Sequence, residues 1–135
     1  MQAITDTGYL VALLNREDQH HAWAQGLAGQ LQTPLLTCEA VIAETSFHLK
    51  STTNVLAMIE RGAIRVAFDV TNHLGSLRDL AERYADRHPD LADLCLIRMS
   101  ELYPRHSVLT VDEADFKVYR RNKREVIPTI CPARK

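Results

Sequence analysis

The stretch ITDTGYLVALL, residues 4–14, changes its pattern at a single carboxylate. Ile4 and Thr5 close a short β-branched run of the kind that fills a buried strand, whereas from Thr7 onward the apolar residues follow a helical spacing. Asp6 stands at the handover. Aspartate is a favoured helix N-cap because its carboxylate accepts hydrogen bonds from N–H groups that have no partner in the first turn, and that alone would explain it. The same position, just past the carboxyl end of a strand, is also where open α/β sheets bind their ligands.

Working outward from Asp6, short β-like runs alternate with longer helical patterns. Ala3–Thr5 reads as a strand, Thr7–Asn15 as a helix, and DQHHAWAQGLAGQL as a second helix. PLLT is a second strand leading into the helical CEAVIAETSFHLK, followed by a helix over Thr53–Arg61 and a third strand around AIRVAF. Residues 71–87 read as helical, Asp90–Leu102 as an apolar helix, SVLTV as a fourth strand and EVIPTI as a fifth, whose proline points to a sheet edge. This alternation predicts a mostly parallel sheet with helices on both faces. With 135 residues and no repeats or low-complexity linkers, the chain reads as one domain over 1–135.

Composition excludes several classes. At 46% hydrophobic and 24% charged residues the chain is ordinary globular protein, not a disordered tail. The net charge of −1 means that any nucleic-acid contact must come from a local patch. Cysteines at 38, 95 and 131 are odd in number and lack CxxC spacing, which reads as reduced thiols, two of them buried in apolar helical stretches. With no secretory pattern and no long apolar run, a cytoplasmic protein without membrane association is expected.

Three further acidic features keep Asp6 company. Glu44 lies within AVIAETSFHL, where its helical neighbours are Ala40, Val41, Phe47 and His48. No Lys or Arg stands at ion-pairing distance along the helix, which leaves His48 as the local partner. In HPDLADLCLIRMSEL, Asp90 can cap the helix and Asp93 can take the capping-box position. In VLTVDEADF, Thr110 and Asp112 fall on one face of a strand end, and Asp115 follows in the turn. Turn and cap chemistry accounts for each acid separately. Carboxylates gathered over one sheet edge without cations would repel and desolvate one another, raising the pKa of at least one, and such groupings serve divalent metals or proton chemistry. Oxygen-only ligands suit Mg²⁺ or Mn²⁺.

In the order and spacing of these four acidic motifs, ITDTGYLVALLNRED, LLTCEAVIAE, DLADLCLIRMSE and VLTVDEADF, the chain resembles the PIN-domain ribonucleases, and within them the VapC-like toxins of toxin–antitoxin modules. The resemblance implies an α/β/α three-layer sandwich on a mostly parallel, roughly five-stranded sheet, and Mg²⁺- or Mn²⁺-dependent endoribonuclease activity. It places the family's acids on Asp6, Glu44, Asp93 and Asp112 as catalytic and metal-binding residues. Asp90 and Asp115 would be accessory, and Thr7 and Thr110 would be hydroxyls that support the acids. It further implies an RNA substrate, a homodimer, and a small cognate antitoxin whose tail crosses a groove made by YLVALL and HHAWAQGLAGQL, with Trp23 as a candidate anchor.

Other chemistries find little support. The six histidines include no HxH or HExxH, so zinc is not expected. There is no GxxxxGK[ST], GxGxxG or GxSxG. A receiver-type signalling domain would want paired acids directly after the first strand and a lysine after the last, and lacks both. Candidate RNA contacts are YRRNKR (residues 119–124), Lys50, Arg98 and Arg105, with Tyr119 and Phe116 as possible stacking rings or core. The alternative function is a PIN-like module that binds RNA or protein without cleaving.

Overall fold

The computed structural model describes residues 1–133. A five-stranded parallel sheet forms its centre, with strand order β3-β2-β1-β4-β7. The strands are β1 (Ala3–Thr5), β2 (Leu35–Thr37), β3 (Ile64–Val66), β4 (Ser107–Leu109) and β7 (Thr129–Ile130). Around it lie α1 (Thr7–Leu14), α2 (His21–Ala28), α3 (Glu39–Leu49), α4 (Thr52–Glu60), α5 (Leu74–Arg83), α6 (Leu91–Leu102) and α7 (Glu113–Val118). The arrangement is consistent with the three-layer α/β/α sandwich expected.

Parallel strands need cover on both faces, and the inner strands show it. Every residue of β1 and β2 is buried. Ile4 pairs in register with Leu36 on one side and Val108 on the other. The fully buried side chains of Ile4, Leu10, Val41, Leu96, Ile97 and Leu109 make the core continuous from sheet to helices. Cys38 and Cys95 are buried free thiols and Cys131 is half-buried.

The chain builds β1, β2 and β3 outward to one side, then returns across the sheet to lay β4 against the other side of β1. This reversal is the topological switch point, where helices leave the strand ends in opposite directions and open a crevice. Asp6 follows β1 there, and Thr110 and Asp112 follow β4.

The sequence pattern and the structure part at three places. The helical stretch 71–87 is broken into a 3₁₀ turn at Val70–His73, α5, and a second 3₁₀ turn at Ala85–Arg87. Asp69 caps the first break by accepting from the Thr71 N–H at 3.0 Å, and the Phe68 ring stacks on His73. EVIPTI is two strands and not one. Its first half, β6 (Glu125–Val126), pairs antiparallel with β5 (Arg120–Arg121), and its second half, β7, pairs with β4 as the sheet edge. Pro128 lies between the halves, and its carbonyl accepts from the Val108 N–H at 2.9 Å, so the residue that cannot donate still serves the sheet as an acceptor. The third difference is a helix, α7, between the fourth strand and the hairpin.

Gly8, in the first turn of α1, packs so closely on Val111 that a Cβ there would overlap Val111 Cγ2. Helix propensity favours Gly8→Ala by about 1 kcal/mol, whereas crowding a β-branched neighbour costs about 1–3 kcal/mol. Urea unfolding should therefore show a net loss for Gly8→Ala in the wild-type background. The same change made in Val111→Ala should be neutral or stabilising; a stabilised single variant would show that Val111 moves freely.

Candidate active site

The four acids come from four different elements and reach one cleft. Asp6 is the N-cap of α1, Glu44 lies midway along α3, Asp93 is in the first turn of α6, and Asp112 is the N-cap of α7. All four line a cleft of about 440 Å³ over the carboxyl ends of β1 and β4, together with Asp90 and Asp115. Asp18 lines it as well, bringing the carboxylates to seven, and among the described residues no Lys or Arg does. A larger cleft of about 1060 Å³ lies elsewhere, between α3, the exit of β3 and α6. Its lining is largely uncharged, so charge and not volume marks the smaller one.

Hydroxyls fix the acids. Asp6 Oδ1 accepts from the Thr7 N–H at 2.7 Å, while Asp6 Oδ2 accepts from Thr110 Oγ1 at 3.0 Å. Thr7 Oγ1 donates to Glu44 Oε2 at 2.8 Å. The threonines singled out in the sequence thus touch the acids they were expected to support. Glu44 takes its hydrogen bond from Thr7, not from His48, whose ring instead meets Phe47 edge-on. Beneath them Thr37 Oγ1 donates to the Thr5 carbonyl at 2.9 Å, tying the end of β2 to that of β1.

Cap chemistry is present too. Asp90 Oδ1 accepts from the Asp93 N–H at 2.8 Å, and Asp112 Oδ1 accepts from the Asp115 N–H at 3.5 Å. Asp93, placed by its spacing in a capping box, accepts instead from the Tyr119 hydroxyl at 3.1 Å. Asp115 is in an ion pair with Arg87 at 3.3 Å. Sequence reasoning missed Asp18, Arg87 and the Tyr119 contact. Asp18 sits in a turn, where acids are routine, and the other two partners lie 26 and 28 residues away from the acids they meet.

The electrostatics follow. Burial pushes the Asp6 carboxyl up to about 6, against the opposing hydrogen bonds from Thr7 and Thr110 and with help from Glu44 and Asp90. Burial, then the neighbouring Asp90 charge, pushes Asp93 up to about 7. Asp112 is raised by burial and by its contact with Asp115. The expected elevation is present, but desolvation leads it and mutual repulsion comes second.

These residues fit a hard divalent cation by the chemistry of the donors: oxygen ligands in excess, raised carboxyl pKa values, and little compensating positive charge. As placed, no three Asp, Glu, His or Cys side chains among the described residues are close enough to form a finished ligand cage. Bringing the carboxylates together requires a charge that cancels their repulsion.

None of the candidate basic residues lines this cleft. Arg121 is buried, with its guanidinium donating to the Ser100 carbonyl at 3.0 Å and the Pro104 carbonyl at 3.2 Å and pairing with Glu125 at 2.7 Å. Ser100 and Pro104 lie at the far end of α6 from Asp93. Arg120 folds back on the carbonyls of Lys117, Val118 and Tyr119. Arg98 is paired with Glu101, and Phe116 and Tyr119 are buried, with no free face for a base. Lys50, Arg105, Lys123 and Arg124 are exposed.

Residues 3–122 match the PIN domain family. No curated protein matches the chain significantly.

The raised carboxyls set a sign for pH. Between the unfolded carboxyl range near about 4 and the folded values, the folded chain holds protons that the unfolded chain has released, so stability falls as pH rises through about 6 and about 7. Below the unfolded range both states are protonated and the effect vanishes. The melting temperature of metal-free protein should fall from about pH 5 to about pH 8, and Asp93→Asn should remove the upper part of that fall. A wild-type and variant pair with parallel curves would refute the assignment.

Proposed function

This chain belongs to the PIN domain family, and from that premise we propose that it is a divalent-metal-dependent endoribonuclease, the toxin of a VapBC-type toxin–antitoxin module. PIN domains are generally nucleases and typically use divalent metals. One observation carries the catalytic reading: carboxylates from four separate elements line a single cleft at the sheet's switch point, two of them strongly desolvated.

Asp6, Asp93 and Asp112 would hold Mg²⁺ or Mn²⁺, with Glu44 completing the set. When bound, such an ion supplies an activated water and stabilises charge at the phosphodiester. The protein's own part is to position and to exclude. Thr110 and Thr7 hold Asp6 and Glu44 in fixed orientations, and the buried threonine ends of β1 and β2 make a rigid floor under them. Because Asp6 and Asp93 are partly protonated near neutral pH, loading the site releases protons, and metal affinity rises with pH. No side-chain nucleophile is required.

The toxin reading rests on the order and spacing of the four motifs. The surface of α1 and α2 supports it: half-buried Trp23 packs edge-on to Tyr9 at 5.7 Å and to His20 at 6.5 Å, and His20 lines the acid cleft. Tyr9 is buried beneath Trp23, so an antitoxin tail would meet Trp23 and His20 and be led by His20 toward the acids. A homodimer in the cytoplasm completes the proposal.

Purified protein should cleave RNA with Mg²⁺ or Mn²⁺ and stop on addition of a chelator. Asp6→Asn should lower cleavage by roughly 10²-fold or more, the scale of losing one charge-stabilising group. Cleavage that persists in chelator would exclude the metal mechanism. RNA binding without cleavage under any divalent ion would favour the non-cleaving module.

A further inference from the structure

Tyr119 closes α7, and its side chain is 1% exposed. Its ring is wedged edge-on between Tyr84, at 5.1 Å and 71°, and Phe116, at 5.6 Å and 86°. Tyr84 is itself anchored, since its hydroxyl accepts from the Arg120 N–H at 2.8 Å. A ring held on both sides has one orientation available, and that orientation delivers its hydroxyl to Asp93 Oδ2 at 3.1 Å. Asp93 Oδ1 takes no hydrogen bond among the described residues.

The chemical type of the donor matters. A lysine or arginine at this place would orient the Asp93 carboxylate and also cancel its charge. A phenol fixes one oxygen while leaving the negative charge available at the other. The wedge therefore turns a flexible helix-start carboxylate into a preset one.

Resting on the reading of the cleft as a divalent-metal site, we propose that Tyr119 is a positioning residue that holds Asp93 in the orientation required to bind the cation. Its effect passes through Asp93 alone.

The test is a Mn²⁺ titration by calorimetry on metal-free wild type, Tyr119→Phe, Asp93→Asn, the double variant, and Tyr84→Phe as a control that also loses a buried hydroxyl. Tyr119→Phe keeps the ring and its packing, and should weaken Mn²⁺ binding about tenfold, the scale of losing a hydrogen bond behind a metal ligand. Tyr84→Phe should leave affinity within about twofold of wild type. In the Asp93→Asn background, Tyr119→Phe should change nothing further, because the two act through one contact. In cleavage assays the Mn²⁺ concentration for half-maximal rate should rise for Tyr119→Phe, with the rate recovered at saturating metal. Wild-type affinity in Tyr119→Phe, an equal loss in Tyr84→Phe, or an additive loss in the double variant overturns the proposal. A Tyr119→Phe protein that does not fold assigns the hydroxyl to the fold and overturns it as well. If wild type binds no Mn²⁺, the metal reading falls and this inference with it; if wild type binds and only Asp93→Asn is impaired, the inference alone falls.

Discussion

The acid cleft depends on β1 and β4 lying side by side although 101 residues of chain lie between Thr5 and Ser107. Their pairing ends in a short sequence of bonds: the Asp6 N–H donates to the Leu109 carbonyl at 2.9 Å, and one residue on, Thr110 Oγ1 donates to Asp6 Oδ2. Backbone register and side-chain orientation are thus fixed together. A shift of one residue in β4 would turn Thr110 to the other face and leave Asp6 with only its cap bond. The hydrophobic burial of Ile4, Val108 and Leu109, all fully inaccessible, is what holds that register.

Asp6, Asp90 and Asp112 are helix caps as well as lining residues of the cleft. Asp6 gives one oxygen to the first turn of α1 and the other to Thr110; Asp90 and Asp112 cap α6 and α7 beside the same cleft. Helix starts are suitable places for clustered acids because the exposed N–H groups and the positive end of the helix dipole offset part of the repulsion. Asp93 receives less of this help, since its side chain makes no cap bond, and it is also the acid pushed highest, to about 7. Capping and metal binding are compatible roles for one side chain, with the cap supplying the orientation.

The strand-to-helix change at Asp6 was legible because periodicity changes within two residues. Glu44 was legible because its helix offered it no cation. What the sequence could not disclose were choices made across the fold. YRRNKR reads as a surface patch because Lys and Arg are rarely buried, yet Arg121 is buried, since two carbonyls near the end of α6 needed donors. EVIPTI reads as one strand because its apolar spacing is continuous, yet its halves join different sheets. The Tyr119 hydroxyl has no local signature at all: any buried tyrosine must find a partner, and the identity of that partner is a tertiary fact.

Seven carboxylates around one opening would also govern how the proposed polyanionic substrate arrives. The chain's net charge is −1, and among the described residues no Lys or Arg lines this cleft to offset its acids, so a polyanion such as the proposed RNA substrate would meet repulsion there. For an ordinary basic nuclease, added salt screens attraction and slows encounter. Here the first effect of cations is to remove a barrier, so the proposed reaction has a compulsory sequence, with neutralisation of the mouth before capture of the strand. In the proposed reaction, a substrate's arrival and its cleavage would then share one dependence, with RNA disfavoured kinetically until cations occupy the cleft.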